Sequence, residues 1–296
     1  MHSYLRAVGY SNIASEADSD KLIKKIMQDR STSIVTEKAD MFPIREYTYE
    51  CAANIGLTVR CEIDTDPVLE SETPVRVINC FPFLHGSTIS TNETVTVARK
   101  LDSRAFTGMC DDGRLGVSLI FYLINVVDYL NSREVRKGEV ISPIMLSALS
   151  LKGKILLPTL TKTAENVNYI HPGNHAKLVA EAQKGDPVAI ESLTRENMDL
   201  YASVMERARK EDILSIVNTS FIPYGAESDE YTVIGIIENF RIAQNRDTCE
   251  ELCVMTLNCN DLIMDVCINR ADLLGEPAIG RRFKGTVWVQ GLIEFV

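Results

Sequence analysis

The sequence predicts an α+β protein that ends in a small antiparallel β-barrel of the oligonucleotide/oligosaccharide-binding (OB) type. Strand-like alternation of apolar and polar residues dominates both ends of the chain, and an Ala- and Glu-rich helical stretch lies between them. At roughly 150 residues per domain, the length of 296 residues suits about two domains. We therefore expect a sheet-and-helix domain over 1–173, a helical connector over 174–212 and the barrel over 213–296.

In the first domain the pattern changes from helix to strand. A helix capped by Ser19 or Asp20 is followed by alternating runs. For 116–131 a helix is favoured over a buried strand in its first half, and 139–160 is predicted to be a hairpin that turns at Lys152-Gly153. The predicted strands before these are 44–51, 57–63, 74–80 and 93–98.

The connector and the barrel have their own signals. Asp186 is a good N-cap and Pro187 a good first residue for the second of two connector helices. About five strands and a helical turn at 270–274 predict the barrel. In the last strand Gly285 and Gly291 mark positions where a barrel strand bends sharply. The strands recognised in this part are 231–237, 252–259, 262–268 and 283–295.

Composition and charge exclude several functional classes. Hydrophobic residues make up 45% and charged residues 24% of the chain, which excludes a disordered, collagenous or coiled-coil protein. The net charge is −10, whereas nucleic acids and anionic membranes attract proteins with a positive field. The chain opens without a secretory signal, and its longest apolar run, 115–127, is too short for a membrane span. We expect a cytoplasmic protein that binds no membrane, and the charge disfavours nucleic-acid binding.

Three stretches of the sequence carry a family resemblance. They are 110–123, which begins Cys-Asp-Asp; 185–194 together with 221–225; and 280–291, which begins Gly-Arg-Arg-Phe-Lys-Gly. Together they resemble a family of functionally uncharacterised proteins from clostridial bacteria, described as a domain of unknown function. The resemblance covers essentially the whole chain and implies a bacterial cytosolic protein of this length. It implies no chemistry and no catalytic residues.

The most suggestive polar cluster is Cys110-Asp111-Asp112. A thiol beside carboxylates could act as a nucleophile if His85 or His171 served as its base. Neighbouring carboxylates raise the pKa of a thiol, however, and so oppose formation of the thiolate. We favour a buried cysteine followed by an Asp-Asp-Gly turn.

Metal sites have weaker support. His171 and His175 have the spacing of a helical metal site, but Pro172 and Gly173 break the helix that would align them. Local sequence offers no further ligands, and no CxxC pair exists among the eight cysteines. Strand alternation places Cys253 with apolar neighbours on one face. We expect core cysteines, no metal and no cofactor.

Trp288 lies close in sequence to Arg281, Arg282 and Lys284. An outward aromatic ring beside basic residues can stack on a base or a sugar. Residues 213–296 nevertheless carry six basic and twelve acidic residues. We therefore expect Trp288 to pack against the connector or the N-terminal domain.

Three functions remain open from the sequence. The preferred one is a non-catalytic binding or scaffold protein whose partner is a protein or a small molecule, because the GxxxxGK[ST], GxGxxG and GxSxG motifs are all absent. The second is an enzyme of unrecognised type with its site near Cys110. The third is single-stranded nucleic-acid binding through the barrel at Arg281, Arg282 and Lys284.

Overall fold

Strands form most of the protein, and helices are few and short. The computed structural model divides the chain into two compact units, Met1–Leu156 with Thr219–Val296, and Leu157–Asn218. The residues that the structure describes are 2–13, 15–29, 32–35, 43–64, 73–99, 105–132, 139–141, 143–157, 186–189, 191–192, 217–225 and 228–294.

The smaller unit is described only at its two ends and at 186–189 and 191–192. Residue 187 begins a helical segment, and the carboxylate of Asp186 accepts a hydrogen bond of 2.9 Å from the amide of Val188. The cap predicted at Asp186 is therefore confirmed. The rest of the predicted connector lies outside the described residues.

The larger unit begins with helices and an antiparallel sheet. A 3-10 helix spans Ser3–Val8, and α1 spans Glu16–Gln28. Helix α1 begins earlier than predicted because Ser15, rather than Ser19 or Asp20, accepts a hydrogen bond from the amide of Asp18. Four strands then pair in chain order. They are β1 (Thr32–Val35), β2 (Ile44–Ala52), β3 (Ile55–Asp64) and β4 (Thr73–Leu84).

The stretch predicted to be one helix is a strand followed by a short helix. β5 (Thr94–Arg99), β6 (Phe106–Asp112) and β7 (Val117–Leu123) pair as antiparallel neighbours, and only α2 (Val126–Asn131) is helical. The apolar run fits both periods, and pairing of β7 with β6 selects the strand. The helix prediction is therefore wrong for the first half of this stretch.

The hairpin predicted around Lys152-Gly153 is also wrong. β8 (Glu139–Ile141) is followed by β9 (Ile144–Leu156), which continues through Gly153 without a turn. A Cβ atom at Gly153 would lie 2.3 Å from the ring of Phe283. The glycine therefore makes room for a core aromatic side chain.

The remaining strands belong to the same large sheet as β5–β9. They run in the order β10-β11-β12-β13-β9-β15-β7-β6-β5-β8, and β14 pairs with β9. Their bounds are β10 (Ser220–Pro223), β11 (Glu230–Gln244), β12 (Glu251–Cys259), β13 (Leu262–Asn269), β14 (Leu273–Leu274) and β15 (Arg282–Ile293).

Five of these strands close into a barrel. β11 pairs with β12, β12 with β13, β13 with β9, β9 with β15, and β15 again with β11. Only the contact between β13 and β9 is parallel among these pairings. A closed five-stranded barrel is thus present, and β9, which precedes the predicted barrel range, completes it.

A long, bent strand allows the barrel to close. The first half of β11 pairs with β15 and the second half with β12, and the register shifts between Ile237 and Asn239. The barrel interior holds Phe283, Val287 and Cys253, as the alternation of apolar residues predicts. A second core lies outside the barrel, where the N-terminal helices and β2–β4 pack on Leu252, Val254 and their neighbours.

Candidate functional site

The outer side of β12 and β13 is covered by the chain's own N-terminal half. Successive side chains of a strand point to opposite sides, so the residues that alternate with the inward-facing ones point out of the barrel. We call this surface the covered face. Its outward residues are Leu252, Val254, Thr256, Asp265, Cys267 and Asn269. Residues 4–11 and 84–87 lie over it and bond to its polar groups.

An aromatic stack seals one edge of the covered face. Trp288 of β15 is 4% exposed, and its ring lies 5.4 Å from that of Tyr4 and 4.4 Å from that of His2. The hydroxyl of Tyr4 donates a hydrogen bond of 2.9 Å to Glu230. Burial lowers the pKa of His2 to about 4, so its ring is neutral at pH 7. Trp288 thus packs against the N-terminal segment, one of the two expected contacts.

Asp265 is bound by the segment that follows β4. Its carboxylate accepts hydrogen bonds from the amide of Ser87 at 2.8 Å, from the Ser87 hydroxyl at 2.7 Å and from Thr256 at 2.7 Å. Gly86 permits this crossing, since a Cβ atom there would lie 2.9 Å from the carbonyl oxygen of Leu146. The 84–87 segment therefore lies directly on two neighbouring strands, β13 through Asp265 and β9 through Leu146.

Glu250 binds the chain just after the 3-10 helix. It accepts hydrogen bonds from the amide and hydroxyl of Ser11, at 3.1 and 2.7 Å, and from the side-chain amide of Asn269 at 2.5 Å. Arg6 forms an ion pair of 2.6 Å with Asp272 close by. These contacts hold the N-terminal segment against the end of β13.

Asp247, on the turn between β11 and β12, accepts hydrogen bonds from three different residues. It accepts hydrogen bonds from Tyr10 at 2.6 Å, Tyr49 at 2.7 Å and Lys25 at 2.6 Å. Burial acts to raise the pKa of this carboxyl, but the hydrogen bonds from Lys25 and the two tyrosines hold it below its usual value. The guanidinium of Arg246 lies 4.5 Å from the centre of the Tyr49 ring.

These three carboxylates have a structural role: they hold distant segments of the chain together. Each carboxylate accepts hydrogen bonds from donors of a distant chain segment, and Asp247 remains ionised at neutral pH. Among the described residues, no group of three His, Cys, Asp or Glu side chains could hold a metal ion. The arrangement joins β12 and β13 to the N-terminal half of the larger unit.

The structure places Cys110 in the core beside β7. It is 4% exposed, and burial together with the nearby Asp112 raises the pKa of its thiol to about 12. Asp111 accepts a hydrogen bond of 2.6 Å from Ser118. Asp112 binds the guanidinium of Arg114 at 2.9 and 2.5 Å. The two carboxylates therefore have separate partners on the β6–β7 hairpin.

The histidine candidates do not join this cluster in the described structure. His85 stacks on Phe83 with ring centres 4.4 Å apart, and burial lowers its pKa. No hydrogen bond or ring contact between described residues links it to Cys110. His171 and His175 lie outside the described residues.

The three basic candidates near Trp288 have different surroundings. Arg281 donates a hydrogen bond of 2.7 Å to the carbonyl oxygen of Glu276. Arg282 is 3% exposed, and burial lowers its pKa. Lys284 is half-buried on the outer side of β15. Because Trp288 is covered by His2 and Tyr4, its ring faces the protein rather than solvent.

Comparison with protein families decides the chain's membership. A family model described as "Domain of unknown function, E. rectale Gene description (DUF3881)" matches residues 5–291. The chain belongs to the DUF3881 family. The family resemblance noted in the sequence is therefore confirmed. No curated protein and no solved structure matches the chain.

Two stretches that carry the resemblance lie in the core of this DUF3881 protein. Residues 110–123 span the β6–β7 hairpin, and 280–291 lead into and include most of β15. Gly108 and Gly291 lie on either side of the Phe121 ring, where a Cβ atom would approach it to 2.2 and 2.3 Å. Within the described parts of the chain, no helix is long and apolar enough to span a membrane.

The sequence analysis did not single out Asp247, Glu250 or Asp265. Each accepts hydrogen bonds from donors more than 170 residues away along the chain: Tyr10 for Asp247, Ser11 for Glu250 and Ser87 for Asp265. No local spacing connects such pairs. The one usable signal was the alternation in β12 and β13, which turns Asp265 toward the outside of the barrel.

Proposed function

We propose that this DUF3881 protein is a non-catalytic binding protein in which the barrel serves as a scaffold. The observation that carries the proposal is that residues 4–11 and 84–87 occupy the covered face. A barrel that uses this face to hold its own chain acts as a rigid base for the rest of the larger unit. Partners would then bind elsewhere on the unit.

We further propose that the barrel is of OB type with permuted strand order. An OB barrel has five strands in Greek-key order, and the outer face of its second and third strands binds oligonucleotides or oligosaccharides. The order β11, β12, β13, β15, β9 follows that topology, with the parallel contact falling between the third and the last strand. The predicted barrel range 213–296 then gains 144–156 as its last strand.

This assignment argues against nucleic-acid binding. The second and third strands would be β12 and β13, whose outer side is the covered face, and the turn that follows β11 is held by Asp247 and its donors. The net charge of −10 opposes the same function. The division into an N-terminal domain, a connector and a barrel remains our proposal, with β9 added to the barrel.

An enzyme with its site near Cys110 has less support. A thiol with a pKa near 12 is protonated at neutral pH, and a cysteine nucleophile reacts as the thiolate. All eight cysteines are free thiols, which supports the cytoplasm as the compartment that we propose. A protein or a small molecule remains the partner class.

Binding of single-stranded nucleic acid tests the proposal. Fluorescein-labelled oligo-dT and oligo-rU are titrated with the full chain at low ionic strength, where electrostatic binding is strongest. We expect no saturable rise in anisotropy. Saturable binding that weakens when Trp288 or Asp265 is substituted would assign the ligand to the covered face and overturn the proposal.

A further inference from the structure

The opposite side of the barrel carries clustered positive charge. The outward residues of β10, of β14 and of the adjoining stretches 152–156, 232–236 and 282–286 form one sheet surface, which we call the open face. Lys152 and Lys154 are exposed on it, and Lys284 is half-buried. The residues that define it here are Lys152, Lys154, Lys284, Leu274 and Ile222; Arg282 lies on the same side of β15 but is buried.

Strand register brings these lysines together. Lys154 lies directly opposite Lys284 in the β9–β15 ladder, and Lys152 lies opposite Thr286. Side chains that face each other across a ladder have Cβ atoms about 5 Å apart, and like charges there repel. The fold has thus paired two ammonium groups where a carboxylate on either strand would stabilise the sheet.

Within the described part of the chain, no acidic side chain lies next to these lysines in the strand register. The positions next to Lys284 in the register are Ile234 of β11 and Lys154 of β9, and Leu274 of β14 lies beside Lys154. Among the described residues, Lys152, Lys154 and Lys284 form no ion pair and no side-chain hydrogen bond. This occurs on a protein with ten excess negative charges.

Exposed apolar residues border the lysines. Leu274 is 67% exposed beside Lys154, and Ile222 of β10 is 56% exposed beside Thr232. These two side chains offer apolar contact area at the margin of the lysine cluster.

We propose that the open face binds an extended acidic segment of a partner protein. The proposal names the partner of the binding protein proposed above and rests on that function. Lys152 and Lys154 are two residues apart on one strand, so they are separated by about 6–7 Å. Acidic side chains at alternate positions of an extended segment have the same spacing and can pair with both lysines.

Other anionic ligands fit the surface less well. Single-stranded nucleic acids bind through aromatic rings on which the bases stack, and the outward positions named on this face hold none. Anionic membranes are bound by clusters of four to eight cations, with an overall positive field. Neither condition is met by two exposed lysines and one half-buried lysine on an acidic protein.

Binding of poly-L-glutamate tests the proposal. Labelled poly-L-glutamate is titrated with the full chain at low ionic strength, and fluorescence anisotropy is recorded. We expect saturable binding that salt weakens and that K152Q/K154Q/K284Q weakens at least tenfold. The matched control is K21Q/K24Q/R99Q, which removes the same charge from exposed positions elsewhere and should bind as the wild type does.

Several results would overturn the proposal. They are no binding of poly-L-glutamate, equal loss in both triple variants, or tighter binding of oligo-dT or phosphatidylglycerol vesicles that depends on the three lysines. A dimer that forms at low salt and disappears in K152Q/K154Q/K284Q would assign the face to a second copy of the chain. Circular dichroism of both variants confirms that they fold.

These outcomes separate the two proposals. If oligo-dT binds the wild type and this binding is lost in K152Q/K154Q/K284Q, the acidic-segment proposal is overturned and the proposed scaffold role of the covered face is unaffected. If oligo-dT binding persists in K152Q/K154Q/K284Q but weakens when Trp288 is substituted, the proposed function is overturned instead.

Discussion

The two outer sides of the barrel treat charge in opposite ways. On the covered face and at its margins, Asp247, Glu250 and Asp265 each accept at least three hydrogen bonds from the protein. On the open face Lys154 and Lys284 face each other without an acidic partner among the described residues. The acids hold this chain together, whereas the lysines are available to another molecule.

Solvation explains why one protein can carry both arrangements. A buried carboxylate such as that of Asp265 would cost several kcal/mol without donors, so the fold must supply them. An exposed ammonium stays hydrated and needs no partner, and pairing it would add only about 0–1 kcal/mol. Stability therefore accounts for the covered face and does not constrain the lysines of the open face, which we propose bind an acidic segment.

Removing the aromatic seal should have the largest effect. W288A empties a site beside Tyr4 and Tyr122, and we expect a loss of about 3–5 kcal/mol in the free energy of unfolding. K284A changes the same strand on the open face and should change stability by less than about 0.5 kcal/mol. Urea denaturation measures both, and equal losses would remove the distinction between the two sides.

Removal of the Asp265 carboxylate should have the next largest effect. D265A removes the buried, charged acceptor of Ser87 and Thr256, and we expect a loss of about 1.5–3 kcal/mol, the contribution of hydrogen bonds to a charged group. E251A is the control, since Glu251 is exposed on the same strand as Thr256. An unfolding midpoint for D265A that matches E251A would mean that the 84–87 segment is not held by this contact.

Neutralising Asp247 should cost about 1.5 kcal/mol at neutral pH, because three donors lose a charged acceptor. The pKa of Asp247 is lower in the folded protein than its ordinary 3.8, so its contribution is full above that value and is lost as the pH falls further. The stability difference between the wild type and D247N, measured by urea denaturation, should shrink below pH 3.8. A difference that stays constant in acid would contradict the assignment.

Acid should loosen the N-terminal segment at higher pH than it affects Asp247. The pKa of His2 is 6.5 when unperturbed and about 4 in the fold, so the unfolded segment binds more protons between these values. Docking of His2 is therefore fully stabilising above pH 6.5 and weakens as the pH falls toward 4. Trp288 is the only tryptophan, and its fluorescence reports the change. H2Q should abolish this pH dependence.

The smallest expected effect has the opposite sign. K154Q removes the repulsion with Lys284 and should stabilise the protein by about 0.2–1 kcal/mol at low salt. Salt screens the repulsion, so the gain should vanish at high ionic strength. K24Q is the control on α1. Destabilisation by K154Q would indicate that Lys154 has a structural partner.

Local pattern predicted most of the strands because side-chain alternation is a property of a few adjacent residues. It failed at 116–131 and 139–160, where apolar residues fit both periods or a glycine resembled a turn. Gly153 is needed for the ring of Phe283, which lies 130 residues later in the chain. Pairing over such distances leaves no mark on neighbouring residues.

The site residues likewise divide into those that local sequence predicts and those that depend on pairing between distant strands. Strand parity predicted the inward face of β15 and the core position of Cys253, since the number of residues between two positions decides which side they share. Lys284 was singled out from sequence as a binding residue, but its neighbour Lys154 was not, because only the β9–β15 register brings them together.

The sequence alone determined the predominance of strands, the acidic balance, the cap at Asp186, the inward face of β15 and the family resemblance. Each of these follows from composition or from residues close together in the chain. Only the tertiary structure decided that β9 closes the barrel, that residues 4–11 and 84–87 cover β12 and β13, and that three lysines meet on the other side. These facts depend on which distant strands pair, and pairing is decided by the free energy of the whole fold.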